Sequence, residues 1–279
     1  MDSSDTAPAI DRLARCSAAV RLWFLQNGLQ LNADKSEVVF LGTAAQLRSS
    51  ANITTVDVAG STLHVAPQLK SLGVTIDSNL RFDHHARNVA KACMFHTRAL
   101  RHVRSLLTDD VAQTVACSIV ASRLDYCNAL LCGAPAATFD RLQRAQNNLA
   151  RVVCQRRGRT AARPLLRCRW GGKGGVGSLH WLPMRQRVTY KVALLTHKVR
   201  ATATPAYLSD LIQTHVSIRT LRSSDAPVLA VPRTRTELAR RAFSVAAPSV
   251  WNSLPADIRL CESVPLFKRR LKTHLFRLT

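Results

Sequence analysis

Residues 23–42, WFLQNGLQLNADKSEVVFLG, contain both kinds of secondary structure that we expect in this chain. They begin inside an apolar pattern of helical spacing that predicts a helix over residues 8–26. Asn27-Gly28 is a typical helix stop. The four apolar residues 38–41, followed by Gly42, favour a short buried strand. A helix followed by a buried strand predicts an α+β fold for this part of the chain.

Short strands are predicted downstream of this stretch. Residues 53–58 and 62–66 alternate around Ala59-Gly60-Ser61, a pattern that predicts a hairpin. Leu69 to Ile76 is another strand candidate, interrupted by Gly73. The α+β interpretation therefore extends to about residue 82.

The rest of the chain is predicted to be mostly helical. Thr108 before Asp109 and Asp110 is a plausible helix cap with an acidic first turn. Residues 219–250, rich in proline and arginine, are predicted to be irregular. We expect helices over residues 83–107, 108–124 and 137–154, one opened by Pro183, and a last one capped by Ser263.

Positive charge is concentrated in the second half of the chain. The net charge is +23, from 40 lysines and arginines against 17 acidic residues. Residues 1–140 hold 13 basic and 12 acidic residues, whereas residues 141–279 hold 27 and 5. This excess favours a polyanionic partner such as RNA or DNA, because arginine pairs bidentately with phosphate. A solvated arginine-rich surface is the alternative.

Several classes of protein are disfavoured. No run of about 18 apolar residues is present, so we expect no membrane-spanning segment. The first eleven residues resemble neither a secretory signal nor a transit peptide. The eight cysteines form no CxxC pair, so we expect reduced thiols, no zinc site and a cytoplasmic or nuclear location. No small-molecule substrate is expected.

Four segments carry a resemblance to a known family. They are residues 23–42; residues 69–77 (LKSLGVTID); residues 122–128 (SRLDYCN) with 142–147 (LQRAQN); and, in the tail, residues 179–183 (LHWLP), 241–255 (RAFSVAAPSVWNSLP) and 267–272 (FKRRLK). In this order they resemble the reverse transcriptases of non-LTR, LINE-type retrotransposons, most closely the CR1/L2-like branch. The resemblance covers roughly residues 8–153 and 179–278.

The resemblance implies a domain organisation. Residues 1–82 would be a partial polymerase palm with short strands and a hairpin, and residues 83–154 a helical, thumb-like region. Residues 155–178, rich in arginine and glycine, would be a linker, and residues 179–279 a basic, α-rich C-terminal domain.

The catalytic residues of such polymerases have no counterpart here. The family uses an early palm aspartate and an Asp-Asp pair to hold two divalent metals, Mg²⁺ in the parent enzyme. Asp109-Asp110 is no substitute, since it falls at a predicted helix start. Lys35 aligns with a palm lysine near the triphosphate and is at most vestigial; a solvated turn lysine is its alternative. We therefore expect no enzyme activity, no metal and no cofactor.

Nucleic-acid contacts are the function that we expect such a fragment to retain. One candidate is Gly73, in the segment that resembles the hairpin with which the family grips the primer end. The others are the linker residues Arg156, Arg157, Arg159, Arg163, Arg167, Arg169, Trp170 and Lys173, and the tail residues Lys268, Arg269, Arg270 and Lys272. Trp170 is the better stacking candidate, while Trp181 and Trp251 are expected in the core. The alternatives are an independent basic nucleic-acid-binding protein and a decayed open reading frame without function.

Overall fold

A computed structural model of the protein describes residues 6–156, 158, 160–167, 179–215 and 228–278. The chain divides into two compact units, Met1–His85 and Ala86–Thr279. Helices predominate, and the described strands form two short antiparallel hairpins. The predicted α+β, mostly helical class is confirmed at this level. The palm, thumb and C-terminal roles stay predictions.

The first unit combines two helices with two hairpins. Its elements are α1 (Thr6–Gln26), α2 (Ala44–Ser49), β1 (Thr55–Val58), β2 (Ser61–His64), β3 (Gln68–Ser71) and β4 (Val74–Asp77). Its small core includes the buried side chains of Val56, Val74 and Phe82. The predicted helix over residues 8–26 is confirmed, because α1 ends at Gln26 just before Asn27-Gly28.

Both hairpins turn through a residue pair with positive φ. Ala59 and Gly60 connect β1 to β2 at φ 53° and 82°, and Leu72 and Gly73 connect β3 to β4 at φ 46° and 81°. Positive φ at both central positions is the two-residue turn that matches strand twist. The predicted first hairpin is confirmed, and Gly73 interrupts the next strand candidate by forming a turn.

The predicted strand over residues 38–41 is wrong. Val38 makes a single parallel bridge to Val65, and the Ala66 amide donates to the Val38 carbonyl at 2.8 Å. The next residue is Pro67, which has no amide hydrogen to continue the ladder. Pairing therefore stops after one bridge.

The second unit contains the remaining helices. They are α3 (Asp83–Val103, which begins in the first unit), α4 (Asp109–Val115), α5 (Ser122–Asp125), α6 (Ala136–Val153), α7 (Ala162–Arg167), α8 (Met184–Thr202), α9 (Ala206–Ser209), α10 (Glu237–Arg240), α11 (Phe243–Asn252), α12 (Ala256–Arg259) and α13 (Val264–Arg277). The caps predicted at Thr108 and Ser263 are confirmed, because their side chains accept from the amides of Val111 and Leu266.

Two predictions in this unit need correction. The helix expected over residues 108–124 is interrupted by a π-helical segment, Ala116–Ala121. The hydroxyls of Thr114, Ser118 and Ser122 each donate to the carbonyl four residues earlier, an interaction that bends helices. Residues 243–250 are helical, although Pro248 lies inside α11, because Val245 to Pro248 and Trp251 are buried. Their burial outweighs a proline penalty of about 3 kcal/mol.

The segments singled out by the resemblance contact one another in this unit. The buried Gln146 of α6 donates from Nε2 to the Leu182 carbonyl at 2.9 Å, and Gln143 accepts from the Met184 amide at 2.8 Å. Arg241 donates to the Cys132 carbonyl at 3.2 Å. The helices of residues 83–154 and those of residues 179–278 therefore belong to one packed body.

Candidate nucleic-acid interface

The tail cations lie along the last helix. α13 buries Phe267, Leu271 and Leu275, which fixes the face it turns to the core. Lys268, Arg269 and Arg270 are exposed, and Lys272 is half-buried. Arg270 is partly engaged, because its Nη1 donates to the Asp257 carbonyl at 3.0 Å.

The linker candidates fall only partly within the described residues. Arg156 and Arg163 are exposed. Arg157, Arg159, Arg169, Trp170 and Lys173 lie outside the described part of the chain, as does the side chain of Arg167. Their predicted roles stay predictions.

One of the residues predicted to contact nucleic acid, Gly73, belongs to the first unit. Gly73 lies at the tip of the β3–β4 turn, beside Leu72, which is 87% exposed. The backbone at this tip is therefore accessible. Lys35 ends a short 3-10 turn, Ala33–Lys35, and its side chain is exposed.

A cleft of about 370 Å³ contains four arginines, only one of which sequence reasoning had identified. Arg101 and Arg104 come from the end of α3 and the 3-10 turn after it, Arg151 comes from the last turn of α6, and Arg156 follows that helix. Ser105, Asn148, Val152, Gln155 and Gly158 complete the described lining, which includes no carboxylate. We call these four side chains the arginine cleft.

Three of the four guanidinium groups are held by neighbouring oxygens. Arg104 is buried, donates to the carbonyls of Val153 and Leu107 at 2.8 and 2.9 Å, and pairs with Asp109. Arg101 donates to Asn148 Oδ1 at 3.1 Å, and Arg151 donates to the Thr160 carbonyl at 2.8 Å. Each of these bonds orients a guanidinium, which has five donor hydrogens in total.

Part of this arrangement serves the helices themselves. Arg101 and Arg151 lie in the last turns of α3 and α6, where cations favour the carbonyl end of a helix. A basic residue in the last turn is common in helices, so the sequence gives no sign that these two arginines share a site. Only the fold brings the two helix ends together. Arg156 is exposed and pairs with no carboxylate in the described residues.

The charge of Arg156 acts on a neighbouring group. Burial raises the pKa of the Cys154 thiol, and Arg156 opposes that rise. Because its guanidinium groups are oriented by these hydrogen bonds, the arginine cleft can offer donors to an anion that accepts two of them at once, such as a phosphate.

Other candidates from the sequence have structural roles. Trp181 and Trp251 are 6% and 0% exposed, so their assignment to the core is confirmed. Asp109 and Asp110 form the first turn of α4, as predicted. Within the described residues, no three His, Cys, Asp or Glu side chains are placed to share a metal ion.

The described helices include none that is both long and apolar enough to cross a bilayer. Comparisons with protein-family models, with curated proteins and with solved structures gave no match.

Proposed function

We propose that this chain binds RNA and DNA through phosphate contacts, as a catalytically incomplete fragment of the RNA-directed DNA polymerase of a LINE-type retrotransposon. The observation on which this rests is the arginine cleft. Four guanidinium groups from two helix ends line one depression whose described lining includes no carboxylate. A phosphodiester backbone is the partner that such a site recognises.

Binding of this kind discriminates little between sequences. Phosphate contacts position a nucleic acid without reading its bases. Lys268 and Arg269 of α13 are further exposed cations of the same unit. We therefore expect RNA and DNA to be bound with similar affinity.

The first unit supports the interpretation as a piece of a larger fold. On α1, five large apolar side chains are 42–57% exposed: Leu13, Val20, Leu22, Trp23 and Leu25. These side chains lie on several sides of α1, and exposed apolar surface of this extent typically packs against another surface. In a polymerase palm, that surface would be provided by neighbouring palm elements.

A charge-removal experiment tests the role of the cleft. We expect the double variant Arg101→Gln/Arg156→Gln to weaken binding to single-stranded RNA by roughly tenfold or more, because it removes two cations that would contact phosphate. Each lost phosphate contact should also lower the slope of log affinity against log salt concentration by about one. Both side chains are exposed, so the fold should be retained. Fluorescence anisotropy with a labelled oligonucleotide measures the affinity.

The matched control removes the same charge elsewhere in the unit. Arg233 and Arg235 are exposed and lie outside the cleft. The double variant Arg233→Gln/Arg235→Gln should change the affinity by less than about twofold. Equal weakening by both double variants would contradict a localised site and leave only diffuse attraction by net charge.

A further inference from the structure

The second unit, Ala86–Thr279, contains another cavity, which shares no described lining residue with the arginine cleft. Its volume is about 320 Å³, within the range of small-molecule sites. Four segments form it: the end of α5 with the turn after it, residues 180–182, one face of α8, and α13. We call it the α8–α13 pocket.

The pocket has an excess of positive charge. Arg187 is paired with Asp125, because its Nη1 donates to both carboxylate oxygens at 2.7 and 2.8 Å. Lys191 and Lys272 also line the pocket, and neither forms an ion pair within the described residues. Two lysines therefore remain available to an anion.

Lys272 is in an environment that an anion would relieve. Its side chain is half-buried. Burial lowers its pKa, and the positive charge of Arg187 lowers it further. A bound anion next to the ammonium would favour the charged form and oppose both effects.

One acceptor in the lining is buried without a donor among the described residues. Asn128 is 3% exposed, and its Nδ2 donates to Asp125 Oδ1 at 3.3 Å. Its Oδ1 has no hydrogen-bond partner among the described residues. Buried acceptors are nearly always satisfied, so a donor on a ligand would complete this group.

Flat side chains provide the third feature. Tyr190 is half-buried in the pocket wall. The His180 ring, also in the wall, stacks on Phe276 with a centroid distance of 4.4 Å and an interplanar angle of 19°. Stacked aromatic faces are surfaces on which a planar base can lie.

We propose that the α8–α13 pocket binds a nucleoside phosphate, with the phosphate on Lys191 and Lys272, the base against Tyr190, and a base or sugar donor to Asn128 Oδ1. A free nucleotide and the phosphorylated end of a strand offer this same chemistry. The proposal goes beyond phosphate-backbone binding and depends on none of the cleft residues.

Calorimetry on the full chain tests it, with the four nucleoside 5′-monophosphates, adenosine and inorganic phosphate as probes. Saturable binding of at least one monophosphate to one site per chain is expected, about tenfold or more tighter than inorganic phosphate or adenosine. Absence of saturable monophosphate binding, or equal affinity for inorganic phosphate, overturns the proposal. A tetranucleotide, tested with and without a 5′-phosphate, distinguishes a strand end from a free nucleotide as the ligand. Tighter binding of the phosphorylated tetranucleotide than of the monophosphates assigns the pocket to a strand end. Weaker binding assigns it to a free nucleotide.

Variants locate the site. Lys191→Gln should weaken monophosphate binding about tenfold, whereas Lys198→Gln, exposed on the same helix outside the pocket, should leave it unchanged. Tyr190→Leu, which keeps an apolar side chain against the core, should abolish the preference for a monophosphate over inorganic phosphate. Equal effects of Lys191→Gln and Lys198→Gln would overturn the proposal. The cleft variant Arg101→Gln/Arg156→Gln should bind the monophosphate normally even if it fails to bind RNA, so the two proposals fail independently.

Discussion

Arg104 is 4% exposed and still lines the arginine cleft. It holds the end of α6 through the Val153 carbonyl and the start of α4 through Asp109. A charged group this deep is tolerated because its donors are satisfied. The same side chain therefore joins three helical segments at the edge of the proposed phosphate site, where its charge is paired with Asp109.

Replacing Arg104 should destabilise the second unit. Arg104→Met leaves the carbonyls of Val153 and Leu107 without this donor, and we expect a loss of about 2–3 kcal/mol in the free energy of unfolding. Arg101→Met is the matched control, since Arg101 is exposed and bonds one side chain; its effect should stay within about 0.5 kcal/mol. Urea unfolding followed by circular dichroism measures both, and similar values for the two variants would contradict the structural role.

His85 should make the stability of the first unit depend on pH. It is buried, and burial lowers its pKa below the ordinary 6.5. The folded state thus favours the neutral ring, so the contribution to stability is complete above pH 6.5 and is lost as the pH falls below that value. We expect easier unfolding at pH 5 than at pH 7.

Neighbouring histidines give a direct control for this effect. His85→Gln should reduce the difference in unfolding free energy between pH 5 and pH 7. His84→Gln should preserve that difference, because His84 is exposed. A pH dependence that disappears equally in both variants would rule out His85 as its source.

At the level of elements, one aspartate organises the connection between β4 and α3. Asp77 accepts from the backbone amides of Asn79, Arg81 and Phe82 at 3.2, 2.9 and 2.7 Å. These bonds satisfy the amides of a segment in which Leu80 and Phe82 have positive φ. The carboxylate therefore orders residues 79–82 within the first unit.

Asp77→Ala should destabilise this connection. Three amides would lose their acceptor, and we expect a loss of about 1–3 kcal/mol with faster amide hydrogen exchange over residues 79–82. Asp11→Ala, which breaks only an exposed pair with Arg15, should cost less than about 1 kcal/mol. Unchanged exchange at residues 79–82 in Asp77→Ala would show that the segment is held by other contacts.

Element types were predictable from the sequence where local pattern and packing agree. α1, α3, α6, α8 and α13 lie where the sequence predicts helices, and α1 ends at the Asn27-Gly28 stop. The strand at Val38 and the helix around Pro248 were mispredicted because pairing partners and burial, which are properties of the fold, decided them. The arginine cleft was missed for the same reason, since Arg101 and Arg151 are 50 positions apart and meet only when α3 and α6 pack.

At the scale of the whole molecule, charge follows the two units. Residues 1–85 hold 7 basic and 8 acidic residues, whereas residues 86–279 hold 33 and 9. If the chain binds a polyanion as proposed, we expect the attraction to come from the second unit. The exposed apolar side chains of α1 belong to the nearly neutral first unit.

The whole chain should not extend a primer. The sequence has no counterpart of the aspartates that hold two metal ions in LINE-type reverse transcriptases. Metal-assisted nucleotide transfer requires those aspartates. Incubation with primed RNA or DNA templates, nucleoside triphosphates and Mg²⁺ or Mn²⁺ should give no incorporation above a mock purification. Template-dependent products that depend on the purified protein would show that the chain is a complete enzyme.

The salt dependence of nucleic-acid binding tests the central claim most directly. If cations of the second unit bind phosphates, the logarithm of the affinity of the full chain should fall linearly with the logarithm of salt concentration, equally for RNA and DNA of unrelated sequence. Six to ten phosphate contacts would lower the affinity by roughly 10³–10⁵ between 50 and 200 mM salt. An affinity that is nearly independent of salt, or that requires one particular sequence, would contradict the account.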